Sequence, residues 1–194
     1  HVEIQRLVSF LLNHKEPKDE IVIFFDSNNG SKSVEEYLRS HSINGEFSWH
    51  SYPFDGHFGN MKNKLSEMCN GDYIFQIDAD ELPDIGLIEN IHSILIMNDV
   101  DVVLVPRVNT VAGLTESHIY KWKWQVNDNG WVNWPDLQWR IYRNSDDIKW
   151  ENKVHEVLSG YKTISHLPLT EELALHHPKT IERQEKQNAY YDTL

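Results

Sequence analysis

Gly71-Asp72-Tyr73-Ile74-Phe75-Gln76-Ile77-Asp78-Ala79-Asp80-Glu81-Leu82-Pro83 holds an apolar run that stops at two carboxylates one residue apart. The pattern from Tyr73 to Ile77 predicts a short buried strand. A strand that ends in Asp-x-Asp delivers both carboxylates to the rim of a sheet, where loops and ligands gather. Carboxylate oxygens so placed suit Mg²⁺ or Mn²⁺, hard ions that bridge protein oxygens to substrate phosphates. A carboxylate pair after a strand also serves to cap a following helix, so the motif alone leaves both uses open.

Outward from this strand the apolar pattern alternates between helix and strand. Ile4, Leu7, Val8, Leu11 and Leu12 share one helical face, Ile21 to Phe25 read as an apolar strand, and Val34 to Leu38 continue as a helix. Phe47 to Tyr52 predict a second strand, followed by a helix over 58–69, the strand ending at Asp78, a helix over 83–97 and a strand from Val102 to Pro106. This order predicts an α/β fold with a mostly parallel sheet. The second half is β-rich, around Ile119 to Val126, Leu137 to Tyr142 and Leu173 to His176, and closes with a polar helix over 180–191. With no internal repeat, low-complexity tract or linker, residues 1–194 read as a single domain.

Composition agrees: 194 residues with 40% hydrophobic and 25% charged side chains suffice for one core. The net charge of −12 opposes non-specific binding to phosphodiester backbones, so a nucleic-acid partner is not expected. Lys121, Lys123, Arg140, Arg143, Lys149 and Lys153 do concentrate basic character among the tryptophans of the second half, as a DNA or RNA groove would, but sugar recognition needs the same residue types. No apolar run approaches the roughly 18 to 20 residues of a membrane span. The single Cys69 excludes an internal disulfide, falls in a helical apolar pattern as a core thiol would, and suits a reducing cytoplasm, the expected location. A chain opening at His1 without methionine is expected to have been trimmed.

Other segments join the Asp-x-Asp strand in a recognisable order. Ile21-Val22-Ile23-Phe24-Phe25-Asp26-Ser27-Asn28-Asn29-Gly30-Ser31 ends a strand in an Asp-rich turn, and Gly59-Asn60-Met61-Lys62-Asn63-Lys64 opens a helix with a basic residue and an Asn. Pro135-Asp136-Leu137-Gln138-Trp139-Arg140-Ile141-Tyr142-Arg143-Asn144 and Lys153-Val154-His155-Glu156-Val157-Leu158 follow. In this order and spacing the chain resembles the family 2 glycosyltransferases, enzymes of the A-type nucleotide-sugar fold. The resemblance implies a Rossmann-like, mostly parallel central sheet with flanking helices and a β-rich C-terminal half. It also implies a nucleotide-sugar-binding half to about residue 106 and an acceptor-binding half from about 107. Members usually begin with a strand of Ile-Pro-x-Tyr-Asn type, which this sequence lacks, so a chain without that first strand is expected.

The activity implied is metal-dependent, inverting transfer of a sugar from a nucleoside diphosphate, with a uridine-linked donor expected and a saccharide or other hydroxyl as acceptor. Asp26 would meet the base or ribose of the donor, with Lys62 and Asn63 near the same edge; as bland alternatives, Asp26 organises its own turn and the helix face is merely solvated. Asp78 would contact the ribose or a metal-bound water, and Asp80 would ligate Mn²⁺ or Mg²⁺ with His155 as a further ligand; His176 and His177 are weaker candidates that read as the end of a strand before Pro178. Inversion requires a carboxylate base for the acceptor hydroxyl, for which Asp136 is the first choice and Glu156 the second. Arg140 and Arg143, three residues apart on a strand, point to opposite faces, and Arg140 is assigned to the diphosphate.

Six of the seven tryptophans fall between positions 122 and 150, a candidate acceptor surface because aromatic faces pack against sugars. Trp131 and Trp134, in a Gly/Asn/Pro-containing loop, are the assigned acceptor contacts, whereas Trp122 and Trp124 alternate with lysines as the buried face of a β-ribbon would. A dehalogenase-type phosphatase also carries Asp-x-Asp after a strand, but it places Thr or Val where Leu82 stands. A non-catalytic carbohydrate- or nucleotide-binding module and a nucleotidyltransferase stay open as alternatives, separated from a glycosyltransferase by the product released.

Overall fold

The structure, a computed structural model, describes residues 2–191. The chain begins with α1 (Val2–His14), β1 (Val22–Asp26), α2 (Lys32–His41) and β2 (Ser48–Tyr52). There follow α3 (Phe58–Ser66), β3 (Tyr73–Phe75), β4 (Leu82–Pro83), α4 (Ile85–Met97) and β5 (Val102–Ala112). The remainder comprises α5 (Glu116–Trp122), β6 (Leu137–Arg143), β7 (Lys149–Glu151), β8 (Val157–Ser159), β9 (Ile164–His166), β10 (Leu175–Thr180) and α6 (Ile181–Tyr191). Among the described residues no helix is long and apolar enough to cross a membrane.

Side-chain caps fix where the helices start. Ser31 accepts from the Val34 amide to open α2, and Asp84 accepts from the Gly86 amide to open α4, which places the carboxylate of Asp84, rather than Pro83, at the boundary. The apolar stripe of α1 then buries Leu7 and Val8, and Val8 joins Phe25, Tyr37, Leu38 and Phe47 in a cluster under β1 and α2. A second cluster, Leu87, Ile94, Val103, Val105, Ile141, Leu167 and Leu175, packs α4 against the main sheet.

The expected α/β architecture is present, but its sheet is mixed rather than mostly parallel. β1 and β2 pair in parallel as a separate two-stranded unit. The main sheet runs β3-β6-β5-β10-β4, with β9 beside β5. Within it β5 runs parallel to β9 and β10 and antiparallel to β6, while β3–β6 and β10–β4 are antiparallel. The crossover through α2 makes β1 and β2 parallel neighbours, whereas the antiparallel pairs of the main sheet, β3–β6, β5–β6 and β10–β4, bring together strands well separated in sequence.

Three elements depart from their sequence-based outlines. Residues 119–126 do not form a strand: Glu116–Trp122 are helical, opened by Thr115, whose amide donates to His118 Nδ1 at 3.3 Å, and closed by Lys123 in the left-handed region at φ 55°. The Lys/Trp alternation that suggests a ribbon therefore spans a helix end. β3 stops at Phe75, although the Gln76 amide still donates to Arg140 O at 2.8 Å. α3 ends at Ser66, so Cys69 lies in the turn beyond it, where burial pushes the thiol up to about 11 with Glu20 adding to the rise; such a thiol is a poor nucleophile.

Candidate active site

One face of the β6–β5–β10 ridge carries the polar side chains. Residues two apart on a strand share a face, so Arg107 and Asn109 of β5 point the same way, and the register Asn109↔His177 and Val111↔Lys179 sets His177 and Lys179 of β10 beside them. On β6 the pairing with β5 slips between Val103↔Ile141 and Leu104↔Trp139, which leaves Arg140 as the extra residue of a bulge. A bulge re-aims its side chain, and Arg140 enters the same cleft while Arg143 turns outward to Asp99 and Asp101. The loop after β3 brings Asp78 and Asp80 to this face. The resulting cleft, ≈ 600 Å³, falls in the size range of small-molecule sites.

Glu81 is the hub beneath it. With its side chain fully buried, it accepts from Arg140 Nε (3.0 Å) and Nη2 (2.7 Å), from Arg107 Nη1 (2.9 Å) and from the Asp78 amide (3.1 Å). Arg140 Nη2 also donates to Asp78 Oδ2 at 2.7 Å, so the guanidinium fixes the first Asp of the motif rather than standing free for a diphosphate. Burial alone would raise the pKa of Asp78; Arg140 and then Lys62 outweigh it and hold the carboxyl below its ordinary range.

Asp80 lies at the other end of the loop. Its Oδ2 is 3.2 Å from His177 Nε2 and 3.2 Å from Arg183 Nη2 of α6, and Arg183 also pairs with Glu3 of α1. Burial would raise its pKa, but the His177 hydrogen bond and the charges of His177, Arg183 and Lys179 hold it well below the usual carboxylate range. Lys179 shows the converse, with burial lowering its pKa against the pull of Asp80.

Asp136 occupies the wall formed by β5 and β6. Its Oδ2 accepts from Arg107 Nε (2.9 Å), Arg107 Nη2 (2.9 Å) and Asn109 Nδ2 (2.6 Å), and its Oδ1 accepts from Gln138 Nε2 (2.8 Å). Lys62, nearly buried, pairs with Glu156 Oε2 at 3.2 Å and lies 4.5 Å from the centre of the Trp150 ring. His155 and Glu156 both line the cleft.

Of the residues assigned from sequence, the cleft thus gathers Lys62, Asp78, Asp80, Asp136, Arg140, His155 and Glu156. Asp26 is elsewhere, accepting from the Asn28 and Phe54 amides and from Asn29 Nδ2, which is the work of a turn organiser. Asn63 clamps the Trp150 backbone through both ends of its amide. Trp131 and Trp134 pack against each other, tilted by 60° with centroids 4.8 Å apart, outside the cleft lining, and it is Trp122, Trp124 and Trp139 that line it.

For a divalent ion, no group of three or more His, Cys, Asp or Glu side chains close enough to hold one occurs among the described residues. The imidazole hydrogen-bonded to Asp80 is that of His177. The 3.2 Å between His177 Nε2 and Asp80 Oδ2 is near the ~3 Å expected between adjacent donors of one octahedral ion with bonds of about 2.1 Å. Mg²⁺-type ions commonly take one or two carboxylates and complete their shell with water and substrate phosphates, so Asp80 and His177 would serve such an ion as a two-residue site, with Arg183 Nη2 giving up its place on Asp80 Oδ2.

Glu81, Arg107, Asn109 and Lys179 escaped the sequence reading. The available signal was the arginines themselves: Arg107 and Arg140 interrupt apolar strands, and a buried charge in such a place demands a partner.

Residues 2–167 match the family described as glycosyl transferase family 2. No curated protein sequence matches the chain. Among solved structures, Staphylococcus aureus TarS 1–349 is 14% identical with a TM-score of 0.62, covering 91% of this chain and 56% of its own. The same fragment in complex with UDP-GlcNAc is 15% identical, with a TM-score of 0.61 over 91% of this chain and 54% of that one. In complex with UDP it is 16% identical, with a TM-score of 0.62 over 90% and 56%. The chain thus spans about half the length of these TarS fragments.

Proposed function

The chain belongs to glycosyl transferase family 2, and on that premise we propose that its cleft carries out metal-dependent, inverting transfer of a sugar from a uridine diphosphate donor to a saccharide hydroxyl. The observation that carries the proposal is the arrangement of two carboxylate ends in one cleft: Asp78 and Asp80 with His177 on one side, and Asp136 on the wall shared by β5 and β6. The complexes of the TarS fold with UDP-GlcNAc and UDP support the choice of uridine.

In this reading Asp80 and His177 hold Mn²⁺ or Mg²⁺, whose chemistry when bound is Lewis-acid neutralisation of the departing diphosphate. Lys179 and Arg183, clustered near Asp80, add positive charge where the leaving group's negative charge grows. Arg140 keeps the Asp78 carboxylate ionised and oriented. Asp136 Oδ2 is saturated by Arg107 and Asn109, so Oδ1, which accepts from Gln138, is the oxygen that takes the acceptor's proton. The aromatic wall of Trp122, Trp124 and Trp139 replaces Trp131 and Trp134 as the surface for the acceptor sugar. The donor half proposed to end near residue 106 is completed by His177 and Lys179 from the second half. The lone thiol is in keeping with a reducing cytoplasm.

The test is incubation with UDP-, GDP- and CDP-sugars, Mn²⁺ and a panel of saccharides, following the released nucleotide and the anomeric configuration of the product by NMR. UDP release with an inverted product is expected. Release of pyrophosphate would favour nucleotidyl transfer, and binding without any release would favour a non-catalytic module.

A further inference from the structure

Asn109 sits between the two ends of the cleft and touches both. Its Nδ2 is 2.6 Å from Asp136 Oδ2, and its Oδ1 is 2.8 Å from His177 Nδ1. The orientation of an amide follows from its partners. Asp136 Oδ2 also accepts from Arg107 Nε, so it meets the NH₂ group of Asn109 as an acceptor, and the carbonyl oxygen of the amide then faces His177. An oxygen there accepts, so His177 Nδ1 is the nitrogen that carries hydrogen. Nε2 faces Asp80 Oδ2 at 3.2 Å, a contact that in the ion-free chain takes hydrogen on Nε2 as well and that a divalent cation would occupy in place of that hydrogen. The backbone makes this relay possible, because Asn109 and His177 are register partners across the parallel β5–β10 ladder and share a face.

We propose that Asn109 is a positioning residue that fixes the tautomer and ring orientation of His177 for a divalent cation and, through its other end, holds Asp136 in place. The inference rests on the assignment of Asp80 and His177 to the cation. Hydrogen bonding to the far nitrogen of a metal-binding imidazole sets which nitrogen is free, and its loss typically lowers metal affinity by 10- to 100-fold. The amide serves both partners at once: a residue that offers only acceptors satisfies His177 but opposes Asp136, and one that offers neither releases both.

That asymmetry supplies the test. Mn²⁺ affinity of the whole chain is measured by electron paramagnetic resonance of the free ion, beside turnover and a thermal melt, for the unaltered protein, Asn109→Ala and Asn109→Asp. Asn109→Ala should weaken Mn²⁺ about 10- to 100-fold. Asn109→Asp still accepts from His177 Nδ1 and should keep the affinity within a few fold, yet lose turnover by about 100-fold because a second carboxylate now faces Asp136. Two-dimensional ¹⁵N spectra of the imidazoles provide an independent reading, with His177 keeping hydrogen on Nδ1 in the unaltered chain and in Asn109→Asp, and losing that preference in Asn109→Ala. Unchanged Mn²⁺ affinity and an unchanged His177 spectrum in folded Asn109→Ala would overturn the proposal. A chain that binds no Mn²⁺ in any form but shows the tautomer change would overturn the cation reading and keep the relay.

Discussion

Asp136→Asn abolishes sugar transfer, lowering turnover by about 10³-fold, while UDP binding stays within a few fold of the unaltered chain. The size follows from the role, because a positioned general base contributes roughly 10² to 10⁴ and an amide cannot accept the acceptor's proton. Donor binding is spared because Asp136 sits on the wall away from Asp80 and His177, linked to His177 through Asn109. Asparagine retains an acceptor for Arg107, although one of the neighbouring amides, Asn109 or Gln138, then faces a donor and must turn. The comparison with Glu156→Gln is informative, since Glu156 is paired with Lys62 and should lose less. Steady-state kinetics with calorimetric UDP binding on the same preparations check the split. Near-normal turnover in Asp136→Asn would remove it from the mechanism.

Glu81→Ala carries the largest cost in stability. The carboxylate is fully buried and takes hydrogen bonds from two guanidinium groups and a backbone amide, so its removal leaves Arg140 and Arg107 short of a counter-charge inside the protein. Breaking a buried pair from one side typically costs about 3–5 kcal/mol. For a chain of this size, where 1 kcal/mol moves the midpoint by about 2–4 °C, the melting temperature should fall by roughly 6–20 °C. Urea unfolding followed by circular dichroism gives the free energy directly. The double variant Glu81→Met with Arg140→Met should lose less than the sum of the two singles, because the charges are then removed together. A loss below about 1 kcal/mol in Glu81→Ala would mean that the two arginines are solvated in a way their burial contradicts.

Local pattern made part of this molecule legible. The apolar run from Tyr73 and the abrupt change at Asp78 placed the Asp-x-Asp loop at a sheet rim, and the stripe of α1 and the cap at Ser31 carry their own signals in neighbouring residues. The Lys121-to-Trp124 alternation misled, because a period of two over four residues is too short to outweigh a capped helix start at Thr115. The partners inside the cleft lie beyond local pattern altogether. Asn109 meets His177 only because β5 and β10 pair in one particular register across 68 positions of sequence, and Arg140 reaches Asp78 only because β6 bulges at that residue. His155 interrupts an apolar strand pattern, a local signal, whereas His177 meets Asp80 and Asn109 through a β5–β10 register that spacing does not encode.

The most direct test of the cleft as a donor site is calorimetric titration of UDP, with and without Mn²⁺, into the unaltered chain and into Asp80→Ala. UDP binding that requires Mn²⁺ and disappears in the folded Asp80→Ala variant is the predicted result. UDP binding that is indifferent to both Mn²⁺ and the loss of Asp80 would contradict it and move the nucleotide site away from the Asp-x-Asp loop.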